Sequence, residues 1–317
     1  MPAPGHGRVA VVVNPVSRGA GRAVAALHRA CAGAGAGTPQ VLSTTVADPG
    51  GAQALEARRR GAGRIVVVGG DGTVRHVAGA LAELTGPADD APGTAPVELG
   101  VVPVGTANLF ARSALLPLRD VDAAARRAVE AAARPTDLGR AVLTAADGRA
   151  RTEPFLVVAG VGHDAATLAA VRPAHKQRLR WLAYFAPGLG RLGRPGHALG
   201  LTLDDAPVAA EELWSLLAVN AARLPAGARV VPGAHLDDGR LHVVLVSPRH
   251  LGDWVRIAAT GLGRVGADDH PALRYRSGCT LRVVSPEPVL AQVDGDVVPD
   301  IVGAELTVRP AALRVAR

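Results

Sequence analysis

The sequence predicts an α/β domain followed by a domain made mostly of β-strands, on the evidence of two patterns. In the first part, short apolar strands alternate with segments of helical periodicity. After about Thr136, strand-like runs follow one another with few helices between them. The first pattern is typical of a parallel sheet with crossover helices, and the second of a β-rich domain. We therefore place a first domain at residues 1–135 and a second at 136–303 within the 317 residues.

The first domain is predicted from four strands, each followed by a polar loop. The strands are expected at residues 8–14, 41–45, 64–68 and 99–102. Helices are expected at 19–34, 51–60 and 74–84 and after residue 106, and a Pro/Gly/Asp-rich linker at 86–96. Because open α/β sheets bind ligands beyond the carboxyl ends of their strands, these loops are the candidate site.

The second domain is predicted from eight strand-like runs and three helices. The runs lie at 141–144, 155–159, 199–203, 213–219, 241–246, 280–284, 289–293 and 305–308. The helices are expected near 164–170, 176–190 and 250–261.

Composition excludes several classes of protein. Hydrophobic residues make up 48% of the chain, which is too apolar for a disordered protein. Three Trp, two Tyr and three Phe are too few for serial base stacking, so we expect no nucleic-acid partner. Cys31 and Cys279 lie far apart without CxxC spacing, which disfavours a zinc site or a disulfide and fits a reducing compartment.

Charge and targeting patterns predict a cytoplasmic protein, at most peripheral to a membrane. The N-terminus lacks a signal-peptide pattern, and no apolar run reaches the ~18–20 residues of a membrane span. The net charge is +7, and Lys176 is the single lysine. Nearly all of the 35 basic residues are therefore arginines. Their excess reflects either biased base composition of the coding sequence or an anionic partner such as phosphate or a membrane surface.

The strongest local motif is Gly69-Gly70-Asp71-Gly72-Thr73, between a buried strand and a helix. Glycines let the backbone approach a ligand, and free N–H groups at a helix start favour an anion. The motif matches neither the GxxxxGK[ST] loop nor GxGxxG. It predicts a phosphate cradle, and the alternative is a tight turn with Asp71 as a helix cap.

Two further loops are expected at the same sheet edge. Pro103 to Asn108 follows the fourth strand, and Asn14 to Gly19 follows the first. Three such loops would converge on one ligand, where Arg18 or Arg22 could meet phosphate charge.

Two acidic turns in the second domain are ambiguous alone. The turn from His235 to Leu241 contains two carboxylates that could hold Mg²⁺, although Asp-Gly turns are also common in hairpins. The turn from Gln292 to Asp296 ends a strand in the same way.

Taken in order, these motifs resemble the diacylglycerol kinase catalytic-domain family, which includes soluble bacterial lipid kinases related to sphingosine kinases. The matching stretches are Asn14-Pro15, Gly69 to Thr73, Pro103 to Asn108, Gly160 to Asp164, Asp237 to Leu241 and Asp294 to Asp296. The resemblance implies a Rossmann-like α/β domain, a C-terminal β-sandwich and ATP between them. It also implies that the last strand, at 304–317, can return to the first domain.

The resemblance also implies roles for individual residues. Nucleotide binding falls to Asn14, Pro15, Ser17, Thr45, Gly69, Gly70, Asp71, Gly72, Thr73, Gly105, Thr106 and Asn108. Mg²⁺ would be held by Asp238 with the carbonyls of His235 and Arg240, and Asp71 and Asp296 would be catalytic.

The sequence departs from the family pattern at three places. Asp296 stands where relatives have Glu, which shortens the arm of the proton acceptor. Arg75-His76 replaces the Asn-Glu that often follows the glycine motif, and His163 occupies a position that is often aromatic. Asp71 therefore stays a second candidate for the base.

The expected activity is transfer of the γ-phosphate of ATP to a lipid hydroxyl, with diacylglycerol the favoured acceptor. An aromatic segment after Arg180, which includes Trp181 and Phe185, predicts contact with a membrane surface or packing on the sandwich. The alternatives are a soluble kinase of the NAD kinase type and a silent nucleotide- or lipid-binding regulator. Oligomeric state is left open, a homodimer included.

Overall fold

The computed structural model describes residues 8–84, 96–165, 195–209, 212–221, 231, 233–261 and 270–317. The chain divides into two compact units, residues 1–138 with 311–317 and residues 139–310. From the sequence, we predicted the domain boundary at residue 135 and the return of the chain to the first domain from residue 304. The predicted helix at 176–190 and nearly all of the predicted linker at 86–96 lie outside the described residues.

The first unit is a parallel sheet with helices connecting its strands. Its strands are β1 (Arg8–Val13), β2 (Gln40–Ser43), β3 (Ala62–Gly69) and β4 (Glu98–Pro103). Its helices are α1 (Ala20–Gly33), α2 (Gly51–Arg59), α3 (Asp71–Leu84), α4 (Leu109–Ser113) and α5 (Val121–Glu130). The strand order is β2-β1-β3-β4, and the end of the chain adds a parallel strand beside β4, with Arg314 opposite Glu98.

The β-branched runs of β1 and β3 form the centre of this sheet. From Val9 to Val13 and from Ile65 to Val68, every side chain is buried. Such continuous apolar runs are typical of strands that are covered on both faces. One face packs against the alanine-rich sides of α1 and α5, so strand and helix register together set where the loops emerge.

The second unit is mostly antiparallel. Two strands begin in one unit and end in the other, β5 (Ala133–Ala145) and β16 (Asp296–Ala316). Between them lie β6 (Ala150–Phe155), β7 (Val158–Gly162), β8 (His197–Ala198), β9 (Gly200–Leu203), β10 (Ala206–Pro207), β11 (Glu212–Leu213), β12 (Ser215–Val219), β13 (Leu241–Val246), β14 (Leu273–Gly278) and β15 (Thr280–Val293). Helix α6 covers Leu251–Gly261.

The main sheet of this unit runs in the order β14-β13-β12-β7-β15-β16. One face carries a large apolar core that includes Phe155, Leu216 and Leu281, and the other packs against Trp254 and Ile257 of α6. The two runs predicted at 280–284 and 289–293 are one strand, β15. Its register shifts between Val284 and Val289, because the prolines at 286 and 288 have no N–H to donate to a ladder.

A buried arginine ties three elements of the first unit together. Arg64 on β3 is fully buried, and its Nε and Nη2 donate to Oε2 of Glu98 on β4, at 2.9 and 2.5 Å. Its guanidinium also donates to the carbonyls of Val129 and Ala131, the latter at 2.9 Å, where α5 ends. These carbonyls have no partner within the helix, so Arg64 satisfies groups that would otherwise be buried without hydrogen bonds.

We predict that Arg64→Met lowers the free energy of unfolding by about 3–5 kcal/mol, because it removes the buried guanidinium that donates to Glu98 and to the helix carbonyls. Urea denaturation measures this change. The matched control is Arg60→Ala, which removes an exposed ion pair with Glu56 and should cost less than about 1 kcal/mol. Equal losses for the two variants would show that the buried arginine has no special role.

Candidate active site

Four loops meet at the carboxyl edge of the parallel sheet. Backbone hydrogen bonds between neighbouring strand ends hold them: Asn14 N–H donates to Val68 O at 3.0 Å, and Thr44 N–H to Val13 O at 2.9 Å. Val104 N–H donates to Gly69 O at 3.1 Å. The strand register of the first unit therefore brings together the four loops that contain the predicted nucleotide residues.

Two glycines of this edge are in direct backbone contact. A Cβ at Gly105 would lie 2.4 Å from the Cα of Gly70, and a Cβ at Gly70 would lie 3.2 Å from the Cα of Gly105. Only residues without side chains allow this approach. By contrast, a Cβ at Gly72 would meet no atom within 4 Å, so the motif is open to solvent at that position.

Asn108 closes the second glycine loop on itself. Its Oδ1 accepts the N–H of Gly105 at 3.0 Å, and its Nδ2 donates to the carbonyl of Gly105 at 2.8 Å. The buried asparagine has a φ of 49°, in the left-handed region that Asn tolerates better than most residues. The structure thus gives Asn108 a role in shaping the loop.

Asp71 links the two glycine loops. It is the first residue of α3, and its Oδ1 accepts the N–H of Phe110 in the first turn of α4 at 3.1 Å. The sequence raised Asp71 as a cap of the helix that it begins, whereas this hydrogen bond is made to the start of α4. Thr73 is buried, with its side chain packed over Gly69.

The remaining predicted nucleotide residues lie in the loops after β1, β2 and β4. Pro15, Thr45 and Thr106 are exposed, while Asn14 and Ser17 are half-buried. Oδ1 of Asn14 accepts the N–H of Val16 at 3.2 Å, and Oγ1 of Thr45 accepts the N–H of Asp48 at 3.0 Å. Both oxygens thus shape their own loops.

This edge fits a polyphosphate. The touching backbones of Gly70 and Gly105 join the two glycine loops into one surface, and the exposed backbone of Gly72 at the start of α3 lies beside it. Backbone N–H groups at such a position can approach phosphate oxygens closely. The residues present therefore suit the triphosphate of ATP.

The predicted magnesium turn is built around Asp238. Its carboxylate accepts the N–H groups of His235 and Arg240, each at 3.0 Å, and lies 2.8 Å from Nε2 of His242. A carboxylate beside main-chain carbonyls is an oxygen donor set of the kind that Mg²⁺ takes. In the described part of the chain, no group of three or more His, Cys, Asp or Glu side chains is arranged to hold a metal.

The second acidic turn separates a structural aspartate from an exposed one. Asp294 accepts three backbone N–H groups, those of Leu156, Val157 and Val158, at 2.7, 2.9 and 2.9 Å. It has a φ of 48° and fixes the turn to the start of β7. Asp296 lies two residues further on and is exposed, so its carboxylate can reach solvent.

Sequence reasoning did not identify a polar network in the second unit. Asp164 accepts a hydrogen bond from the hydroxyl of Ser215, and Nε2 of Gln292 lies 3.4 Å from its Oδ2. Burial raises the pKa of Asp164 to about 6, although these hydrogen bonds act in the opposite direction. A Cβ at Gly160 would lie 2.1 Å from Oδ2 of Asp164, so glycine makes room for the carboxylate. The glycine and the aspartate of the Gly160 to Asp164 stretch were the only signal available.

His163, the unusual residue of that stretch, belongs to an aromatic cluster. Its ring centroid lies 4.5 Å from that of His197 and 5.3 Å from that of Trp214, and its Nε2 donates to Pro195 O at 3.1 Å. Burial, together with His163, lowers the pKa of His197. At the position that is often aromatic in relatives, His163 therefore packs against neighbouring rings as an aromatic side chain would.

Comparison with protein families decides the assignment. The model of the diacylglycerol kinase catalytic domain matches residues 8–141, and that of the YegS C-terminal NAD kinase beta sandwich-like domain matches residues 156–317. The chain belongs to the diacylglycerol kinase catalytic-domain family. The resemblance seen in the sequence is thereby confirmed, and so is the fold class, an N-terminal α/β domain with a C-terminal β-sandwich.

Individual members of this lipid kinase family show the same likeness. Diacylglycerol kinase of Bacillus subtilis (strain 168) is 27% identical over 254 residues, covering 80% of this chain and 78% of that protein. The "Probable lipid kinase YegS-like" of Pseudomonas aeruginosa (strain UCBPP-PA14) is 34% identical over 266 residues, covering 82% and 78%. The crystal structure of a diacylglycerol kinase from Bacillus anthracis str. Sterne has a TM-score of 0.68 at 19% identity, over 98% of this chain and 96% of that one.

Two findings bear on the membrane. In the part of the chain that the structure describes, no helix is long and apolar enough to span a bilayer. The aromatic segment that contains Trp181 and Phe185 lies outside the described residues.

We predict that Gly105→Ala destabilises the fold by about 1–3 kcal/mol and weakens nucleotide binding, because its methyl group would separate the two loops. Thermal unfolding and titration with ATP measure the two effects. Gly21→Ala is the control, because a Cβ on that helical residue meets nothing within 4 Å and should stabilise the protein slightly. Unchanged stability and ATP binding in Gly105→Ala would contradict the contact.

We also predict that Asp164 makes stability depend on pH. Its folded pKa is raised from 3.8 to about 6, so its contribution to stability is fully present below pH 3.8 and is lost as the pH rises through 6. Relative to the wild type, Asp164→Asn should therefore gain about 3 kcal/mol in free energy of unfolding between pH 3.5 and 7.5.

Urea denaturation at several pH values checks this difference. Ser285→Ala, at a buried position of the second unit, removes no ionisable group and should differ from the wild type by the same amount at every pH. A pH-independent difference for Asp164→Asn would contradict the raised pKa.

Proposed function

We propose that the protein transfers the γ-phosphate of ATP to a lipid hydroxyl, with diacylglycerol as the acceptor and phosphatidic acid as the product. The observation that carries the proposal is the contact between Gly70 and Gly105 at the carboxyl edge of the parallel sheet. It joins two glycine loops into one cradle beside the exposed backbone of Gly72, in a chain of a lipid kinase family. Phosphoryl transfer depends mainly on positioning and charge neutralisation, which a cradle of this kind can provide.

The nucleotide would be held by the loops that follow the four parallel strands. The backbone of Gly69 to Thr73, together with Gly105 and Thr106, would bind the phosphates. The loops with Asn14, Pro15, Ser17, Thr45 and Asn108 would complete the site. Asn108 would act by holding its loop in shape, as its two hydrogen bonds with Gly105 indicate.

Mg²⁺ would neutralise charge on the phosphates when it is bound with the nucleotide. The turn around Asp238 would hold a cation through that carboxylate and the carbonyl oxygens of His235 and Arg240. Because Nε2 of His242 lies 2.8 Å from Oδ2 of the same carboxylate, the imidazole and a cation would compete for that oxygen.

Asp296 is the residue that we assign to accept the proton of the lipid hydroxyl. It is exposed, and the turn that presents it is fixed through Asp294. Asp71 supplies a second carboxylate beside the cradle while its Oδ1 holds the first turn of α4. Asn at position 71 would keep that acceptor and remove the charge, so Asp71→Asn tests charge without breaking the cap.

The acceptor is a membrane lipid and the donor is a cytoplasmic nucleotide. We therefore propose that the protein works from the cytoplasm at a membrane surface. Its arginine-rich composition, with a net charge of +7, supports attraction to anionic lipids.

The test is a γ-labelled ATP assay with diacylglycerol in mixed micelles. We predict labelled phosphatidic acid, and we predict that Asp296→Asn lowers kcat by about 10²–10⁴-fold with little change in the KM for ATP, because the proton acceptor is lost. The control is Asp300→Asn, another exposed aspartate of β16, which should keep wild-type kcat.

Other outcomes identify the alternatives raised by the sequence. Label on added NAD rather than lipid would indicate a soluble kinase of the NAD kinase type. Binding of ATP with transfer to neither acceptor would indicate a silent regulator. Full activity of Asp296→Asn would show that another group accepts the proton, and Asp71 would be the next residue to test.

A further inference from the structure

The turn that presents Asp296 is connected to a carboxyl group in the second unit by one side chain. Oε1 of Gln292 accepts the N–H of Gly295 at 2.9 Å, and Nε2 of Gln292 lies 3.4 Å from Oδ2 of Asp164. Gln292 is only 3% exposed, so water has little access to this side chain. Both ends of its amide are therefore used, one on the turn and one on the carboxylate.

Ser215 completes the network on the other side of the carboxylate. Its hydroxyl donates to Oδ1 of Asp164 and accepts the N–H of Asp164 at 3.1 Å. Strand register brings the three residues together, because Ser215 on β12 pairs with Gly162 of β7, and Gln292 on β15 pairs with Gly160 of β7. The network thus spans three neighbouring strands of a sheet whose other contacts are largely apolar.

We propose that Asp164 and Gln292 are positioning residues that hold the Asp296 turn in the geometry for phosphoryl transfer, the ionised form of Asp164 being the active one. This inference rests on the proposed function, in which Asp296 accepts the proton. Neither residue needs to contact a substrate. Asp164 and Gln292 act through the N–H of Gly295, the residue next to Asp296.

The direction of the amide explains why ionisation matters. An ionised carboxylate can only accept hydrogen bonds, so it attracts the NH₂ end of Gln292 and leaves the carbonyl end for Gly295. A protonated carboxyl group can donate, and it would then compete with Gly295 for Oε1. Burial raises the pKa of Asp164 to about 6, which places the change near neutral pH.

Other groups that titrate around this network must be separated from Asp164. Directly after β7 and on β8 these are His163 and His197, whose ring centroids lie 4.5 Å apart. On β15 and its turn they are Glu287 and Asp294, the latter accepting three backbone N–H groups. A variant at position 164 itself distinguishes their effects from those of Asp164.

The first experiment measures kcat and the KM for ATP between pH 5 and 8. We expect wild-type kcat to fall below about pH 6, and Asp164→Asn to lose that fall. Ser215→Ala should move the fall to higher pH, because it removes a hydrogen bond that favours the ionised carboxylate. Gln292→Ala should lower kcat by about 10–100-fold and leave the KM for ATP within about threefold.

The second experiment does not depend on activity. Exchange of the Gly295 amide hydrogen, followed by NMR on the protein alone, should be at least about tenfold faster in Gln292→Ala than in the wild type, because the amide loses its acceptor. Ser285→Ala is the matched control on β15: Ser285 is also buried, its hydroxyl donates to Glu287 O at 2.6 Å, and its loss should change neither the exchange rate of Gly295 nor kcat.

The outcomes separate the two proposals. An inactive wild type that binds ATP overturns the proposed function. In an active enzyme, two results overturn this inference. One is an unchanged exchange rate of the Gly295 amide in Gln292→Ala, and the other is a fall of kcat below about pH 6 that persists in Asp164→Asn. Thermal unfolding of each variant confirms that it is folded. If Asp164→Asn or Gln292→Ala is unstable, the smaller change Ser215→Ala still tests whether the fall of kcat moves to higher pH.

Discussion

The contact between Gly70 and Gly105 is the constraint on which the candidate site depends. Because the two backbones touch, the loops after β3 and β4 form one continuous surface instead of two separate turns. The hydrogen bond from Phe110 to Asp71 and the two bonds between Asn108 and Gly105 maintain this contact. Parallel strands with buried β-branched runs supply the rigid base from which both loops emerge.

Three carboxylates of the candidate site hold backbone in place. Asp71, Asp238 and Asp294 each accept backbone N–H groups, and each stands in a turn that the sequence marks as chemically suggestive. The structure assigns these three residues to loop geometry, whatever further role they have. Asp296 is exposed at the end of a turn that its neighbours fix, which is the arrangement expected of a group that must meet a substrate.

The sequence predicted what depends on local pattern. The buried strand before the glycine motif, the helix that follows it and the two-part fold could all be read from periodicity. Helix α5 was missed although its buried residues, Ala124, Ala125, Ala128 and Val129, lie at helical spacing and Asp120 caps it at Ala123 N–H, because alanine adds little to an apolar pattern. Strands β6 and β14 were missed as well, because polar and charged residues occupy their exposed faces.

Contacts between distant residues could not be predicted. The Ser215 hydroxyl and the Gln292 amide reach Asp164 only because β12, β7 and β15 pair in one register. Likewise, nothing near Arg64 in the sequence indicates that it donates hydrogen bonds to carbonyls at the end of α5, more than sixty residues away. Polar residues within apolar runs were the only local sign that such networks exist.

The shorter side chain at position 296 and the network behind it are connected physically. The family resemblance predicts glutamate at this position. Aspartate has one methylene fewer, so its carboxylate lies closer to the backbone. A shorter arm has fewer rotamers with which to correct an error in the position of the turn, so the backbone itself must be placed more accurately. The bond between Gln292 and Gly295, with Asp294 holding three further N–H groups, supplies that accuracy at the residues next to the shortened arm. On this reasoning, Asp296→Glu should tolerate loss of the Gln292 amide better than the wild-type chain does, because the longer side chain can make up for a displaced turn.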